Sequence, residues 1–331
     1  MLRYLLPLLL LGALACGPDP TTDPDPLTPG TDPAVAQLSE LIEASPEDAT
    51  LHAQRAQLYY ERGNYPATIA DLTRATELDS LTPGYAYALA DAYLDSEQTE
   101  RAVRVLEQTL RRHPQRLETR LRLGEAQLMQ GRFPAAEATL TTALELEGPQ
   151  AEAYYLLSQV YAEAGDTVQA LAAAEQATRQ DPEMTDAMLL LGELRAGQGD
   201  PAALAAFDEA VRRAPQDVIA VHARANYLYQ SGDVQRALAE YRRVSSIDRQ
   251  YVEGNFNAGL ILLELDSLSQ AYTEFNIAVR NDPVNMEAYL YRGYASEQLG
   301  DLAAARRDFE TVLRMDPDFM PAQEALARLN G

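Results

Sequence analysis

The chain of 331 residues contains no lysine, no tryptophan and one cysteine, Cys16. A single thiol cannot form an intramolecular disulfide, so this residue does not staple a fold. The three histidines, His52, His113 and His222, stand far apart. Neither an HExxH motif nor a glycine-rich phosphate-cradling loop occurs, which removes the common signatures of metalloprotease and nucleotide-binding chemistry. The expectation is a non-enzyme with no cofactor and no metal. All 27 cationic residues are arginine, against 50 Asp and Glu, for a formal net charge of −23. Nucleic acid and anionic lipid headgroups are poor partners for such a body. Arginine as the only cation fits GC-rich coding or a salt-rich habitat.

No apolar run is long enough to span a bilayer as a stable helix. The first fifteen residues, MLRYLLPLLLLGALA, combine Arg3, a leucine-rich run and the small residues Gly12, Ala13 and Ala15, the pattern of a secretory signal peptide. The stretch Ala13-Leu14-Ala15-Cys16 resembles the lipobox of bacterial lipoproteins. That resemblance implies removal of residues 1–15 and covalent lipid on Cys16, with more than one acyl chain making the anchor stable. Gly17 after the cysteine implies an outer-membrane rather than inner-membrane address. From 16 to 33 the chain is rich in proline and aspartate, with almost nothing to bury, and is expected to be a disordered linker. At about 3.1 Å per residue it could hold a folded body up to roughly 50 Å from the membrane.

The remainder repeats. Blocks of 34 residues start at Ala49, Pro83, Leu117, Ala151, Thr185, Val218, Val252 and Met286, the fifth having 33 because one residue is lost around Asp200-Pro201. The eighth residue of each block is small: Ala56, Ala90, Gly124, Ser158, Gly192, Ala225, Gly259 and Gly293. Further on come Thr68, Ala102, Ala136, Ala170, Ala203, Ala237, Ala271 and Ala305, then the bulky Leu72, Leu106, Leu140, Phe207, Tyr241, Phe275 and Phe309, with Ala174 the exception. Small residues set helix spacing and large ones fill it. Gly63-Asn64, Gly165-Asp166, Gly199-Asp200, Gly232-Asp233 and Gly300-Asp301 mark turns, and Pro114, Pro182, Pro215, Pro283 and Pro317 mark helix ends. Their aspartates lack the ligand spacing of a calcium loop.

This pattern resembles the tetratricopeptide repeat family from about Ala34 onward. The resemblance implies an all-α, right-handed superhelical α-solenoid of eight helix-turn-helix repeats: 49–82, 83–116, 117–150, 151–184, 185–217, 218–251, 252–285 and 286–319. Residues 34–48 and 320–331 are expected to cap the stack at its two ends. It also implies that positions 2, 5, 9, 12 and 13 of each block face a groove that holds a protein or peptide. On those positions stand the candidate binding residues Tyr87, Asp91, Leu121, Glu125, Tyr155, Glu163, Leu189, Glu193, His222, Asn226, Phe256, Leu290 and Tyr294.

Acids at position 2 favour the positive end of a helix dipole and say little about binding. Of the other 32 positions eight are acidic, a quarter, against 50 of 331 residues in the whole chain, and no arginine occupies any of the forty. An apolar, partly aromatic stripe with acidic surroundings suits a basic or neutral segment. Family members that clamp a C-terminal carboxylate use lysine on this wall, which is missing here. The expectation is a lipid-anchored scaffold or assembly adaptor of the bacterial cell envelope; the alternative is a mainly structural acidic envelope protein without a specific ligand.

Overall fold

Each block folds as an antiparallel helix pair because it carries two helix-length apolar stripes separated by a short turn, three residues long in six of the eight pairs, that contains one left-handed residue. The computed structural model describes residues 32–330. The lipobox, Cys16 and residues 17–31 lie outside them. All secondary structure among the described residues is helical, in two compact units.

The first unit, up to Pro114, holds α1 (Pro33–Ala44), α2 (Ala49–Tyr60), α3 (Tyr65–Leu78), α4 (Pro83–Asp95) and α5 (Thr99–Arg112). The second begins at Gln115 and holds α6 (Leu117–Met129), α7 (Phe133–Glu147), α8 (Ala151–Glu163), α9 (Thr167–Gln180), α10 (Thr185–Gly197), α11 (Ala203–Arg213), α12 (Val218–Gln230), α13 (Val234–Ile247), α14 (Glu253–Glu264), α15 (Leu268–Asn281), α16 (Met286–Gln298), α17 (Leu302–Met315) and α18 (Met320–Asn330). Asp32 caps α1 and Pro33 opens it, so the helix begins inside the stretch expected to be linker: the Asp32 carboxylate accepts from the Ala34 and Val35 amides.

The turns between paired helices share one geometry. Their fifteenth block residue has a positive φ in every case: Gly63 69°, Glu97 60°, Gly131 71°, Gly165 82°, Gly199 69°, Gly232 85°, Asp266 53° and Gly300 84°. The next residue often caps the second helix, as Asn64, Asp166, Asp233 and Asp301 do by accepting from backbone amides three positions on. In the fifth block, which is one residue short, the second helix is cut to 11 residues and the turn before it runs over five. There the Asp200 side chain binds the Ala202 amide and α11 starts only at Ala203.

Packing inside each pair follows size complementarity. A methyl group added at Gly192, Gly259 or Gly293 would come within 2.8, 2.6 and 2.5 Å of the rings of Phe207, Phe275 and Phe309 respectively. Gly124 faces Leu140 equally closely, at 2.6 Å. Where the filler is the small Ala174, the partner is Ser158, whose hydroxyl donates to the Ala170 carbonyl at 2.8 Å. The cores of the second unit continue from pair to pair, for instance through Leu228, Tyr241, Ile261 and Phe275.

Candidate protein-binding wall

In the second unit the first helices of neighbouring pairs touch one another, α6 with α8, α10 with α12 and α14 with α16, while no two second helices pack to the same degree. The first helices therefore form the narrower side, a wall whose side chains at a given block position line up from repeat to repeat. Hollows open between them. One, lined by Leu128, Met129, Gln159, Glu163 and Leu190, lies between α6, α8 and α10. Others lie between α10 and α12 and between α12, α14 and α16. In the first unit a hollow of about 270 Å³ is bounded by Ala53, Tyr60, Tyr85 and Asp91.

The side chains chosen from the sequence divide into three groups. Leu121, Leu189 and Leu290 are buried in the cores and lie beneath the wall, not on it. A leucine at position 5 reaches inward between its own helix pair and the next. Tyr87, Asp91, Tyr155, His222, Asn226, Phe256 and Tyr294 are half-buried, and Glu125, Glu163 and Glu193 are exposed. Several already have partners. The Tyr241 hydroxyl donates to Asn226 Oδ1 at 2.6 Å, Phe256 packs edge-on against Phe275 and Tyr291, and the Tyr294 hydroxyl reaches the Pro321 carbonyl of α18 at 3.5 Å.

Acids gather around Tyr155. Burial raises the pKa of its phenol, and Asp186, Glu193 and Glu125 push it further in the same direction. The Glu152 carboxyl is also raised, by burial and by the negative charges of Glu118 and Glu125, with Arg122 opposing. Crowding by protein raises the Glu193 carboxyl although its side chain is exposed. These shifts mark a stretch of wall where negative charge is incompletely compensated. His222 is held towards its neutral form by burial; Nδ1 lies 3.3 Å from the Tyr251 hydroxyl and Nε2 3.2 Å from the Asn257 amide.

Two features escape a reading based on five positions per block. Position 6 also lines the hollows, through Ala88, Leu190, Ala223, Asn257 and Tyr291. Its helical spacing to positions 9 and 13 is the signal that could have identified it. In the third block that position is Arg122, whose Nε lies 2.5 Å from Glu118 Oε1, so one cation does accompany the wall, already paired. The second feature joins neighbouring repeats. Tyr60 donates to Asp95, and Tyr229 donates to Glu264 at 2.6 Å, both across 35 residues. The Asp95 bond, aided by burial, pushes the Tyr60 phenol up to about 12.

A family model described as tetratricopeptide repeat matches residues 93–160, and a second with the same description matches 155–203, 201–251 and 256–318. Among curated proteins, the TPR repeat-containing protein YpiA of Bacillus subtilis is 22% identical over 274 residues, covering 82% of this chain and 64% of the relative. A probable UDP-N-acetylglucosamine–peptide N-acetylglucosaminyltransferase, SPINDLY of Solanum lycopersicum, is 31% identical over 103 residues, or 31% of this chain and 11% of that protein. The chain thus spans less than two thirds of either relative. Among solved structures, the C-terminal part of a TPR repeat-containing protein from Cytophaga hutchinsonii has a TM-score of 0.58 at 14% identity, covering 72% of this chain and 99% of the other. Pseudomonas aeruginosa pilF has a TM-score of 0.52 at 17% identity, covering 64% and 97%. At such identities the likeness concerns the fold. Among the described residues there is no group of three or more His, Cys, Asp or Glu that could hold a metal ion, and no helix long and apolar enough to cross a membrane.

Proposed function

Because the chain belongs to the tetratricopeptide repeat family, whose members bind proteins and peptides, we propose that it is a non-enzymatic scaffold that holds a basic or neutral peptide segment of a partner against its first-helix wall. The observation that carries this reading is the half-buried Tyr155, an aromatic foothold with Asp186, Glu193 and Glu125 all acting on it. An aromatic anchor in an acidic setting favours cationic segments by steering and retains them by desolvated contact. The SPINDLY match leaves about nine tenths of that enzyme uncovered, so its transferase name gives no ground for catalysis here.

The proposal includes the tether. Lipid on Cys16 would place the repeats in the bacterial cell envelope, at the outer membrane, with residues 17–31 as spacer. A photo-crosslinking residue at Tyr155 in cells producing the full chain should capture a discrete partner, while one at Glu310 on α17 should not. Labelled palmitate should enter the wild type and be absent from Cys16→Ser. Equal capture at both sites would favour a structural acidic protein over a scaffold, and equal labelling would remove the anchor.

A further inference from the structure

A hollow of about 440 Å³ opens between α10 and α12. The fifth repeat leaves room for it with Ala196 and Gly197, where the third repeat carries Leu128 and Met129 and the sixth Tyr229 and Gln230; Gly197 is the one glycine at its block position. A Cβ built on Gly197 meets nothing within 4 Å, so the space beside it is open. Phe207 and Tyr227 line it with rings 5.4 Å apart, and Asn226 adds an amide.

Glu193 also lines the hollow, and among the described residues it has no hydrogen bond or ion pair. The nearby arginines are committed elsewhere. Arg195 lies 3.0 Å from Glu175, and Arg224 is held between Asp208 at 3.0 Å and Glu240 at 2.7 Å. Both ring nitrogens of His222 face neutral groups, Tyr251 and Asn257. The hollow therefore offers one carboxylate without a counter-ion beside aromatic faces, the Asn226 carbonyl being already engaged by Tyr241.

We propose that this hollow receives an arginine side chain of the bound peptide, its guanidinium paired with Glu193 and stacked towards Tyr227. This rests on the reading of the wall as a peptide-binding surface. Arginine fits better than lysine because its planar, weakly hydrated cation can meet a carboxylate and an aromatic ring together. Unlike the acidic wall as a whole, which selects by field, this hollow selects one side chain at one place in the peptide.

The test uses fluorescein-labelled octapeptides of alanine and leucine that differ only at one central residue: arginine, lysine, or citrulline, the uncharged isostere of arginine. Anisotropy titrations with the full chain should give the arginine peptide about ten-fold tighter binding than the citrulline peptide, with lysine between them. Glu193→Gln should erase the arginine preference while citrulline affinity is kept. Gly197→Met, which fills the hollow with a side chain already present at the same block position as Met129, should erase it too. Methionine favours the helix over glycine, so this second variant stays folded. A preference that survives both substitutions, or arginine and citrulline peptides bound equally by the wild type, overturns the arginine site while leaving the peptide-binding wall in place. If none of the three peptides binds, the wall reading fails with it.

Discussion

At the level of single residues, backbone conformation is more regular than side-chain identity. The sequence marks five turns by Gly followed by Asn or Asp, but eight turns share the same left-handed residue, including Glu97 and Asp266. These two were illegible one turn at a time because nothing about glutamate or aspartate announces a positive φ; only the 34-residue register does. A side chain bearing a Cβ pays a steric penalty there that glycine avoids. Glu97→Gly should therefore stabilise its repeat by about 0.5–1 kcal/mol, the steric relief being partly offset by glycine's greater freedom when unfolded. Gly293→Ala should act in the opposite sense, costing about 1–3 kcal/mol, because its methyl would press on the buried ring of Phe309. Local hydrogen exchange in the second and eighth repeats reads both effects. Faster exchange around Glu97→Gly, or none around Gly293→Ala, would contradict them.

At the level of helices, the period and the small-against-large packing could be read directly, whereas the polar ties between helices could not. Arg55 forms a two-pronged pair with Asp71, at 2.7 and 2.8 Å, and its third nitrogen reaches Ser39. Arg292 repeats this arrangement with Asp308 and Asn276. Each such arginine joins a first helix to its own second helix and to the helix before. The partners lie 16 residues away in either direction, a spacing that apolar periodicity does not reveal. Position 5 is mixed for a related reason: whether a side chain there is covered depends on its size and on the next pair, so leucine is buried while Tyr155 and Phe256 remain half-open. The terminal helix α18 covers the eighth repeat through Ala322 and Ala325, with Leu313, Leu326 and Leu329 around the same core. Deleting residues 320–331 should expose Phe309 and Val312 and fray α16 and α17 first, since burial of such side chains contributes about 1.5–3 kcal/mol each and solenoid stability sums over neighbours. Hydrogen exchange that rose evenly along the whole chain would show that the deletion acts globally instead.

At the level of the whole molecule, the acidic excess was plain in the composition, but its distribution on the wall depended on which side chains the helices present. The exclusion of arginine from the wall holds at the five positions first considered and fails at position 6, where Arg122 is paired with Glu118. Bulk charge and a selective wall both attract cationic partners, and they differ in whether position matters. Neutralising Glu125, Glu163 and Glu193 on the wall and, separately, Glu145, Glu147 and Glu310 on second helices changes net charge equally. The deciding measurement is the affinity of a partner recovered by crosslinking, titrated against both variants and the wild type at two ionic strengths. The wall variant should bind more weakly at low salt and with a flatter salt dependence, the second-helix variant like the wild type. Equal weakening by the two sets would contradict recognition by the wall and leave only the attraction of an acidic surface.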